Sequence, residues 1–192
     1  MNKVLVIGVA SGVGKSTFAC RLGELTGIEV IHLDRLFWKP GWVESSVEEF
    51  SEAQQQVILK DRWIIEGNYT GTIDIREPHA DTIIYLELPL YVCLYRVLKR
   101  RIQYHGETRD DVGEGCVEKV DWAFLKFILT TYGPRKKKMV DRIQRYANEG
   151  KTVYNLKTRQ QIAGFLTNFD LISQKEGKVS NLIKEKTGGN KR

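Results

Sequence analysis

The chain has 192 residues, of which 42% are hydrophobic and 28% are charged, and this composition indicates a folded globular protein rather than a disordered chain. No apolar run approaches the roughly 20 residues of a membrane-spanning helix, and the N-terminal apolar stretch is too short for a secretory signal. The net charge is +6, but residues 174–192 hold six Lys or Arg and two Glu, so +4 belongs to this segment and +2 to the rest. We therefore expect a cytoplasmic protein, outside the membrane, with one domain at residues 1–173 and a basic, mobile tail at 174–192.

The first half of the chain alternates between strand and helix signals. Lys3–Gly8 is a short β-branched apolar run that ends in glycine, which predicts a strand buried on both faces. Apolar residues then recur at helical spacing from Lys15 until Gly27, a residue type that often follows the end of a helix. The further predicted elements are a strand at 27–33, an irregular aromatic stretch at 36–42 with a turn at its Pro-Gly pair, a helix at 47–60 and a strand at 62–65.

The second half continues the alternation. A strand is predicted at 81–88, and Leu90, Leu94, Val97 and Leu98 form the apolar stripe of the helix that follows it. The remaining predicted elements are helices at 118–131 and 135–148, a strand at 152–156 and a last helix around 162–166. This order predicts an α/β fold in which a five-stranded parallel sheet is covered by helices on both faces, giving three layers.

The segment Gly8–Thr17, GVASGVGKST, lies between the first predicted strand and the first predicted helix, which is the context of a phosphate-binding loop, or P-loop. Its amides can surround a β-phosphate, and Lys15 supplies a full positive charge to the β- and γ-phosphate oxygens. Ser16 is expected to ligate Mg²⁺, and Thr17 to contact a phosphate oxygen. The sequence therefore predicts ATP and Mg²⁺ as cofactors, bound by Gly12, Val13, Gly14, Lys15, Ser16 and Thr17.

The loop departs from the usual G-x-x-x-x-G-K spacing. Val9 occupies the position of the first glycine, and Gly8 stands one residue too early. We expect the entry to the loop to be shaped differently. An ATP-binding protein without remaining activity is therefore kept as an alternative.

Two carboxylates follow predicted strands, at the sheet edge where open α/β folds bind ligands. Asp34 ends the second strand and is expected to hold the water shell of Mg²⁺, or to act as a general base if the acceptor is a hydroxyl; the alternative is a helix N-cap. Glu66 ends the third strand and is expected to hold Mg²⁺ through water; the alternative is a surface acid paired with a lysine.

Basic residues and glycines follow the fourth strand. The predicted helix carries Arg96, Lys99, Arg100 and Arg101, and the glycine-containing segment 104–115 is predicted to form a lid that excludes water. Arginines bind phosphate oxygens bidentately and neutralise the charge on a moving phosphoryl group. Arg96, Arg100 and Arg109 are therefore candidate catalytic residues, together with Lys15 and Asp34, and Arg135 is a further candidate. The alternative for each arginine is a solvated basic surface.

A candidate acceptor site follows Asp34. Trp38 and Trp42 flank the Pro-Gly turn and either form a stacking wall for an acceptor base or cover the edge of the core. Arg35 and Arg76 are expected to anchor an anionic group of the acceptor. The three cysteines and three histidines have no spacing typical of a zinc site or a disulfide framework, so we expect reduced thiols and no metal-binding histidine.

Several segments together resemble a known family. They are the P-loop, His32–Arg35, Trp38–Trp42, Trp63–Tyr69, Asp81–Leu86, Arg96–Arg101, Arg109–Asp110 and Glu114–Cys116. They resemble the bacterial DNA topology modulation group of P-loop proteins, and the resemblance extends to about residue 166. Sequences of this group are similar to small-molecule kinases of the adenylate kinase type. The resemblance therefore implies a P-loop NTPase fold like that of nucleoside and nucleotide kinases, with a short lid, although Glu66 stands where such kinases often carry Asp.

The expected function is transfer of the γ-phosphate of Mg-ATP to a small acceptor, such as a nucleoside, a nucleotide or a similar metabolite. A phosphate acceptor needs no base, whereas a hydroxyl acceptor makes Asp34 the expected base. The alternative is an ATP-dependent regulator associated with nucleic acid, as the name of the group implies. Against it, the sequence has no recognition-helix or zinc-finger pattern, and its basic run at 135–138 is typical of a solvated helix start. The sequence does not indicate an oligomeric state.

Overall fold

The computed structural model describes residues 1–170, so the expected domain boundary at 173 and the expected tail at 174–192 lie outside the described residues. The strands are β1 (Lys3–Gly8), β2 (Val30–His32), β3 (Trp38–Lys39), β4 (Val43–Glu44), β5 (Trp63–Glu66), β6 (Thr82–Leu86) and β7 (Thr152–Leu156). The helices are α1 (Lys15–Thr26), α2 (Leu33–Phe37), α3 (Val47–Ile58), α4 (Ile73–Arg76), α5 (Leu90–Gln103) and α6 (Trp122–Asn148). Residues 159–170 are also helical.

The main sheet has five parallel strands in the order β2-β5-β1-β6-β7, which confirms the predicted fold class. The chain starts in the middle of the sheet, builds one side with β2 and β5, and then builds the other side with β6 and β7. Because crossovers between parallel strands are right-handed, the two directions place their helices on opposite faces of the sheet. The strand order reverses beside β1, and the P-loop follows this strand, at the position where open α/β sheets bind ligands.

The core lies on both faces of the central strands. Every residue of β6 is buried, and all of β1 after its first residue is buried. Phe18 and Leu22 of α1 and Val92 and Val97 of α5 pack against the same core. This burial on two faces explains why both strands are continuous apolar runs.

Several predicted elements need correction. β2 is shorter than predicted at both ends. At its start, Gly27 lies in the left-handed region and ends α1, with its N–H bonded to the carbonyl of Gly23 at 2.8 Å. At its end, α2 begins at Leu33. The aromatic stretch contains a regular hairpin of β3 and β4 around its Pro-Gly turn. Leu98 is 48% exposed and lies outside the buried stripe of α5.

The two helices predicted at 118–131 and 135–148 are one helix, α6, and this prediction was therefore wrong. Asp121 caps the start of α6 by accepting the N–H of Phe124 at 2.8 Å, so residues 118–120 precede the helix. Pro134 lies inside α6 and removes one backbone donor without ending it. Packing of Ile128 and Met139, on either side of the proline, against the core explains this continuity. Between residues 1 and 170, no helix combines the length and apolar character needed to cross a bilayer.

Candidate active site

The P-loop connects β1 to α1 and needs glycine where it passes α5. Gly12 has a φ of 81°, in the left-handed region, and a Cβ there would lie 2.2 Å from the carbonyl oxygen of Cys93. Gly14 has a φ of 103° and caps α1 without a side-chain hydrogen bond. The close approach of the loop to α5 therefore depends on glycine at position 12.

The amides of this loop are available to a ligand. The first amide with a helical partner is that of Phe18, which donates to the carbonyl of Gly14 at 3.0 Å. Within residues 1–170, the amides of residues 11–17 have no hydrogen-bond acceptor, and all of these residues line a large cleft. Free amides at a helix N-terminus bind anions, because the helix dipole adds positive partial charge.

The departure at the first glycine has a simple structural explanation. Val9 is fully buried in the core, has no positive φ, and donates its N–H to the carbonyl of Leu86 at 3.0 Å. The N–H of Gly8 donates to Oδ1 of Asn68 at 3.0 Å. Valine therefore fits its position, because its side chain belongs to the core and its N–H continues the hydrogen bonding between β1 and β6 as the chain begins to bend.

Glu66 lies at the end of β5, beside the start of α1. Its Oε1 accepts the hydroxyl of Ser16 at 3.1 Å and lies 2.9 Å from Nδ1 of His32, and the residue is 2% exposed. The alternative of a surface acid paired with lysine is therefore wrong. His32 had no role assigned from the sequence, yet its ring contacts the carboxylate of Glu66 that accepts the hydroxyl of Ser16.

Asp34 is the second residue of α2 and lines the cleft. The hydroxyl of Tyr69 donates to its Oδ1 at 2.6 Å. Asp34 does not cap a helix, because His32 is the N-cap residue of α2. Burial and the charge of Glu66 raise the pKa of Asp34, against the opposing effects of Tyr69 and Lys15.

Asp111 is a third carboxylate at the site, and sequence analysis missed it. It lies in the predicted lid, lines the cleft and pairs with Nη1 of Arg109 at 2.5 Å. Burial alone would raise the pKa of Asp111, but the charge of Arg109, with which it pairs, opposes burial, and the pKa lies below its ordinary value. Its side chain therefore stays ionised beside the P-loop.

These residues fit Mg²⁺ bound mainly by phosphate and water. Among residues 1–170, no group of three or more His, Cys, Asp or Glu side chains has the arrangement of a protein-only metal site. Mg²⁺ in nucleotide sites takes one or two protein ligands and completes its shell with phosphates and water. Ser16, whose hydroxyl is held by Glu66, would supply such a ligand.

A buried carboxylate organises the predicted lid. Glu118 is 2% exposed and accepts from Nε of Arg100 at 2.8 Å and from Nε of Arg109 at 2.7 Å. Arg96 lies closer to the P-loop and donates to the carbonyl of Val13 at 2.9 Å. The three predicted arginines therefore line one cleft, although Glu118 was not identified from the sequence.

The predicted lid, residues 104–115, contacts the β3-β4 hairpin. The N–H of Gly41 donates to the carbonyl of Gly115 at 3.2 Å, and the indole N–H of Trp42 donates to the carbonyl of Val117 at 2.7 Å. A Cβ on Gly113 would lie 1.8 Å from the carbonyl oxygen of Trp38. The hairpin and the segment that contains the lid thus pack together beside the cleft, which has a volume of about 1830 Å³.

The four residues predicted to bind the acceptor separate into two pairs. Trp38 and Trp42 line the cleft with ring centroids 5.3 Å apart. Arg76 is fully buried and donates to the carbonyls of Asn68 and Thr72 and to the side chain of Gln54, so its expected role as an acceptor anchor was wrong. Arg35 is exposed and is not among the residues that line the cleft, so its expected role stays a prediction without support from the structure.

Comparison with known proteins agrees with this fold. No family model matches the chain. Over 108 residues the chain is 25% identical to YqaC, an uncharacterised protein of Bacillus subtilis (strain 168). The match covers 55% of this chain and 61% of YqaC, so it spans less than two thirds of that relative. A gluconokinase from Sinorhizobium meliloti 1021 has a TM-score of 0.50 at 14% identity, with coverage of 94% of this chain and 96% of its own. A shikimate kinase from Acinetobacter baumannii, in complex with shikimate, has a TM-score of 0.48 at 15% identity, covering 100% and 97%.

The likeness to the gluconokinase shows a shared α/β fold with a five-stranded parallel sheet. Because the identity is low, the likeness describes the fold and not the substrate. The resemblance to the DNA topology modulation group stays a resemblance, since no family model matches.

Proposed function

We propose that the protein is a phosphotransferase that moves the γ-phosphate of Mg-ATP to a small acceptor. The observation that carries this proposal is the set of unpaired amides at residues 11–17, which line the cleft beside Lys15. An anion of several charges, such as a triphosphate, is the ligand that such a loop favours.

Two polar arrangements support nucleotide binding at the loop. Lys15 lines the cleft and is expected to contact the β- and γ-phosphates. Ser16 would hold Mg²⁺, while Glu66 and His32 fix the orientation of its hydroxyl. Magnesium bound there would neutralise charge on the β- and γ-phosphates.

The arginines on the other side of the cleft support transfer. Arg96 lies over the loop, and Glu118 holds Arg100 and Arg109 through their Nε atoms. Nη1 of Arg109 pairs with Asp111, so the Nη groups of Arg100 and Nη2 of Arg109 are the ones left without an acceptor among residues 1–170 and available to phosphate oxygens. Guanidinium groups fixed in advance stabilise the charge of the moving phosphoryl group without reorganisation during the reaction. Closure of residues 104–115 over the nucleotide would exclude water and favour transfer over hydrolysis.

The position and the raised pKa of Asp34 support a role as a proton acceptor in the transfer reaction. It lines the cleft together with the loop and the two tryptophans, and its raised pKa suits a proton acceptor more than that of a fully solvated aspartate. We propose that Asp34 accepts the proton of the acceptor hydroxyl.

A screen for transfer of labelled γ-phosphate tests the function. Nucleosides, nucleotides and sugars are each incubated with the protein and labelled Mg-ATP, with and without DNA. We expect label in at least one small acceptor, independent of DNA, and none with Lys15→Met. Label that passes only to water, and only when DNA is present, would contradict the proposal and favour an ATP-dependent regulator bound to nucleic acid.

A further inference from the structure

The cleft is divided by charge. Many of its cations belong to the P-loop, α1, α5, α6 and the helical segment 159–170, which we call the nucleotide end; they include Lys15, Arg21, Arg96, Lys99, Arg100, Arg135 and Arg159. A second part of the wall, which we call the acceptor end, is lined by Asp34, Phe37, Trp38, Trp42, Glu44 and Tyr69. The nucleotide end therefore suits a polyanion, and the acceptor end carries two carboxylates.

Cations that could bind a phosphate are scarce at the acceptor end. Arg76 is fully buried, with its guanidinium bonded to backbone carbonyls, and Arg35 lies outside the cleft. Lys119 lies with its Nζ 5.5 Å from the ring centroid of Trp42, while Asp34 and Glu44 add two negative charges. Arg109 also lines the cleft, but it is paired with Glu118 and Asp111. A second phosphate at this end would meet more negative than positive charge.

Aromatic rings form a continuous wall at the acceptor end. The centroid of Trp38 lies 5.3 Å from that of Trp42 and 4.9 Å from that of Phe37, and the ring of Phe37 lies 4.9 Å from Tyr69. Such a wall presents ring faces and edges to a planar ligand. Stacking of a nucleic-acid base on aromatic side chains contributes roughly 1–3 kcal/mol.

Strained backbone is also found at the acceptor end. Within residues 1–170, two residues other than glycine have a positive φ, Trp42 at 64° and Tyr69 at 22°, and both belong to the acceptor end. Strain of this kind costs about 1–3 kcal/mol per residue and is retained mainly where it positions functional side chains. Trp42 is held by its hydrogen bond to Val117, and Tyr69 by its hydrogen bond to Asp34.

Asp34 has one oxygen free for a ligand. Its Oδ1 accepts the hydroxyl of Tyr69, while its Oδ2 has no donor among residues 1–170. A hydroxyl donor that lies against the aromatic wall is the natural partner of this oxygen.

From these features we infer, building on the proposed function, that the acceptor is an uncharged planar ring compound with a hydroxyl, of the nucleoside class, and that a nucleoside monophosphate is rejected. In the transfer step, the hydroxyl oxygen forms a bond to the γ-phosphorus, and the bond from that phosphorus to the β,γ-bridging oxygen breaks. The bridging oxygen leaves with the electron pair as part of ADP. The hydroxyl proton passes to Oδ2 of Asp34, which later releases it to solvent.

Binding measurements separate this inference from the proposed function. The protein is first titrated with Mg²⁺ and a non-hydrolysable ATP analogue by calorimetry; absence of binding would contradict the proposed function itself. The saturated complex is then titrated with ribonucleosides, deoxyribonucleosides and their 5′-monophosphates. We expect at least one nucleoside to bind about 10-fold more tightly than its monophosphate, because the added charges meet Asp34 and Glu44. Equal or tighter binding of the monophosphate, or binding of no nucleoside at all, would overturn the inference and leave the kinase proposal standing.

A charge reversal gives a second readout. Glu44 lies opposite Trp38 in the hairpin, so Glu44→Lys places a cation at the acceptor end. We expect this variant to bind the monophosphate about 5- to 10-fold more tightly than the wild type. Glu52→Lys is the matched control, since Glu52 is exposed on α3 and does not line the cleft. If both variants change monophosphate affinity equally, Glu44 does not select the acceptor, and the inference fails.

Discussion

The hydroxyl of Ser16 donates to Oε1 of Glu66 at 3.1 Å, and this bond joins the first turn of α1 to the end of β5. His32, at the end of β2, holds the same oxygen from the other side at 2.9 Å. The serine expected to bind Mg²⁺ is therefore oriented by two neighbouring strands of the sheet. Its position depends on tertiary contacts as well as on the local P-loop sequence.

Glu66→Gln is expected to weaken the binding of Mg²⁺ in the complex with ATP. The amide keeps the shape of the side chain but removes the charge that orients Ser16, and loss of such a supporting contact costs about 10–100-fold in metal affinity. The Mg²⁺ concentration that gives half-maximal phosphate transfer should rise accordingly, with kcat recovered at saturating Mg²⁺. Glu29→Gln, at an exposed ion pair with Lys60, is the control. An unchanged Mg²⁺ dependence would show that Glu66 has only a structural role.

Asp34→Asn is expected to lower kcat by roughly 10²–10⁴-fold if the acceptor is a hydroxyl, because the amide cannot take the proton. Binding of Mg-ATP, measured by calorimetry, should stay within a few-fold of wild type. Assays at several Mg²⁺ concentrations exclude a loss of metal positioning. A kcat near that of the wild type would rule out Asp34 as the base.

Tyr69→Phe is expected to shift the pH dependence of kcat. Only ionised Asp34 can accept a proton, so the rate falls as the pH drops through its pKa, which burial already raises. The hydrogen bond from Tyr69 lowers the pKa of Asp34, so its removal should move the acidic limb of the pH–rate profile to higher pH. Phe50→Leu, which alters the packing around Tyr69 but keeps its hydroxyl, is the control. A limb that stays in place in Tyr69→Phe would contradict this coupling.

Glu118→Gln is expected to lower kcat by about 10–100-fold, with a smaller effect on the affinity for ATP. The neutral side chain loses one of the two carboxylate acceptors that hold Arg100 and Arg109, so the two guanidinium groups are less well fixed for the moving phosphoryl group. Single-turnover transfer rates and calorimetric ATP titrations give the two quantities. Glu114→Gln, an exposed residue of the same segment, should behave like the wild type. Equal effects of both variants would argue against a specific role for Glu118.

Gly12→Ala is expected to lower the free energy of unfolding by roughly 2 kcal/mol or more, because alanine is strained at a φ of 81° and its Cβ would meet the carbonyl of Cys93. ATP binding should weaken as the loop moves away from α5. Gly133→Ala, in α6 with nothing within 4 Å of the added Cβ, should be neutral or stabilising. Urea unfolding of both variants checks this; a neutral Gly12→Ala would contradict the tight passage of the loop.

The parts of the fold that were predictable depend on local sequence. The strand Lys3–Gly8 and the helix after Lys15 were found at their observed starts, because an apolar β-branched run and the glycines of the P-loop act within a few residues. The continuous helix across Pro134 was missed, because the break that proline favours is overcome by packing against the core. Local signals thus indicated the strands of the main sheet in order, but they missed the β3-β4 hairpin and the continuity of α6.

The candidate site was predictable in a similar way. Residues next to a motif or at a strand end, such as Ser16 and Glu66, were identified from their position. Glu118 and Asp111 were not, since neither belongs to a motif, and their importance comes from the arginines with which they pair in the folded chain. Arg76 was expected to anchor an anionic group of the acceptor, yet its buried guanidinium donates to backbone carbonyls. Burial of an arginine is rare, and the sequence gives no signal of it.

Calorimetric titration of the folded protein with Mg-ATP is the decisive test of nucleotide binding at the P-loop. We expect saturable binding at one site, and binding about 30–150-fold weaker in Lys15→Met, since a charged hydrogen-bond donor to phosphate contributes about 2–3 kcal/mol. Circular dichroism and Tm should be alike in the two proteins. No heat of binding to folded wild-type protein, or equal affinity in Lys15→Met, would contradict the account.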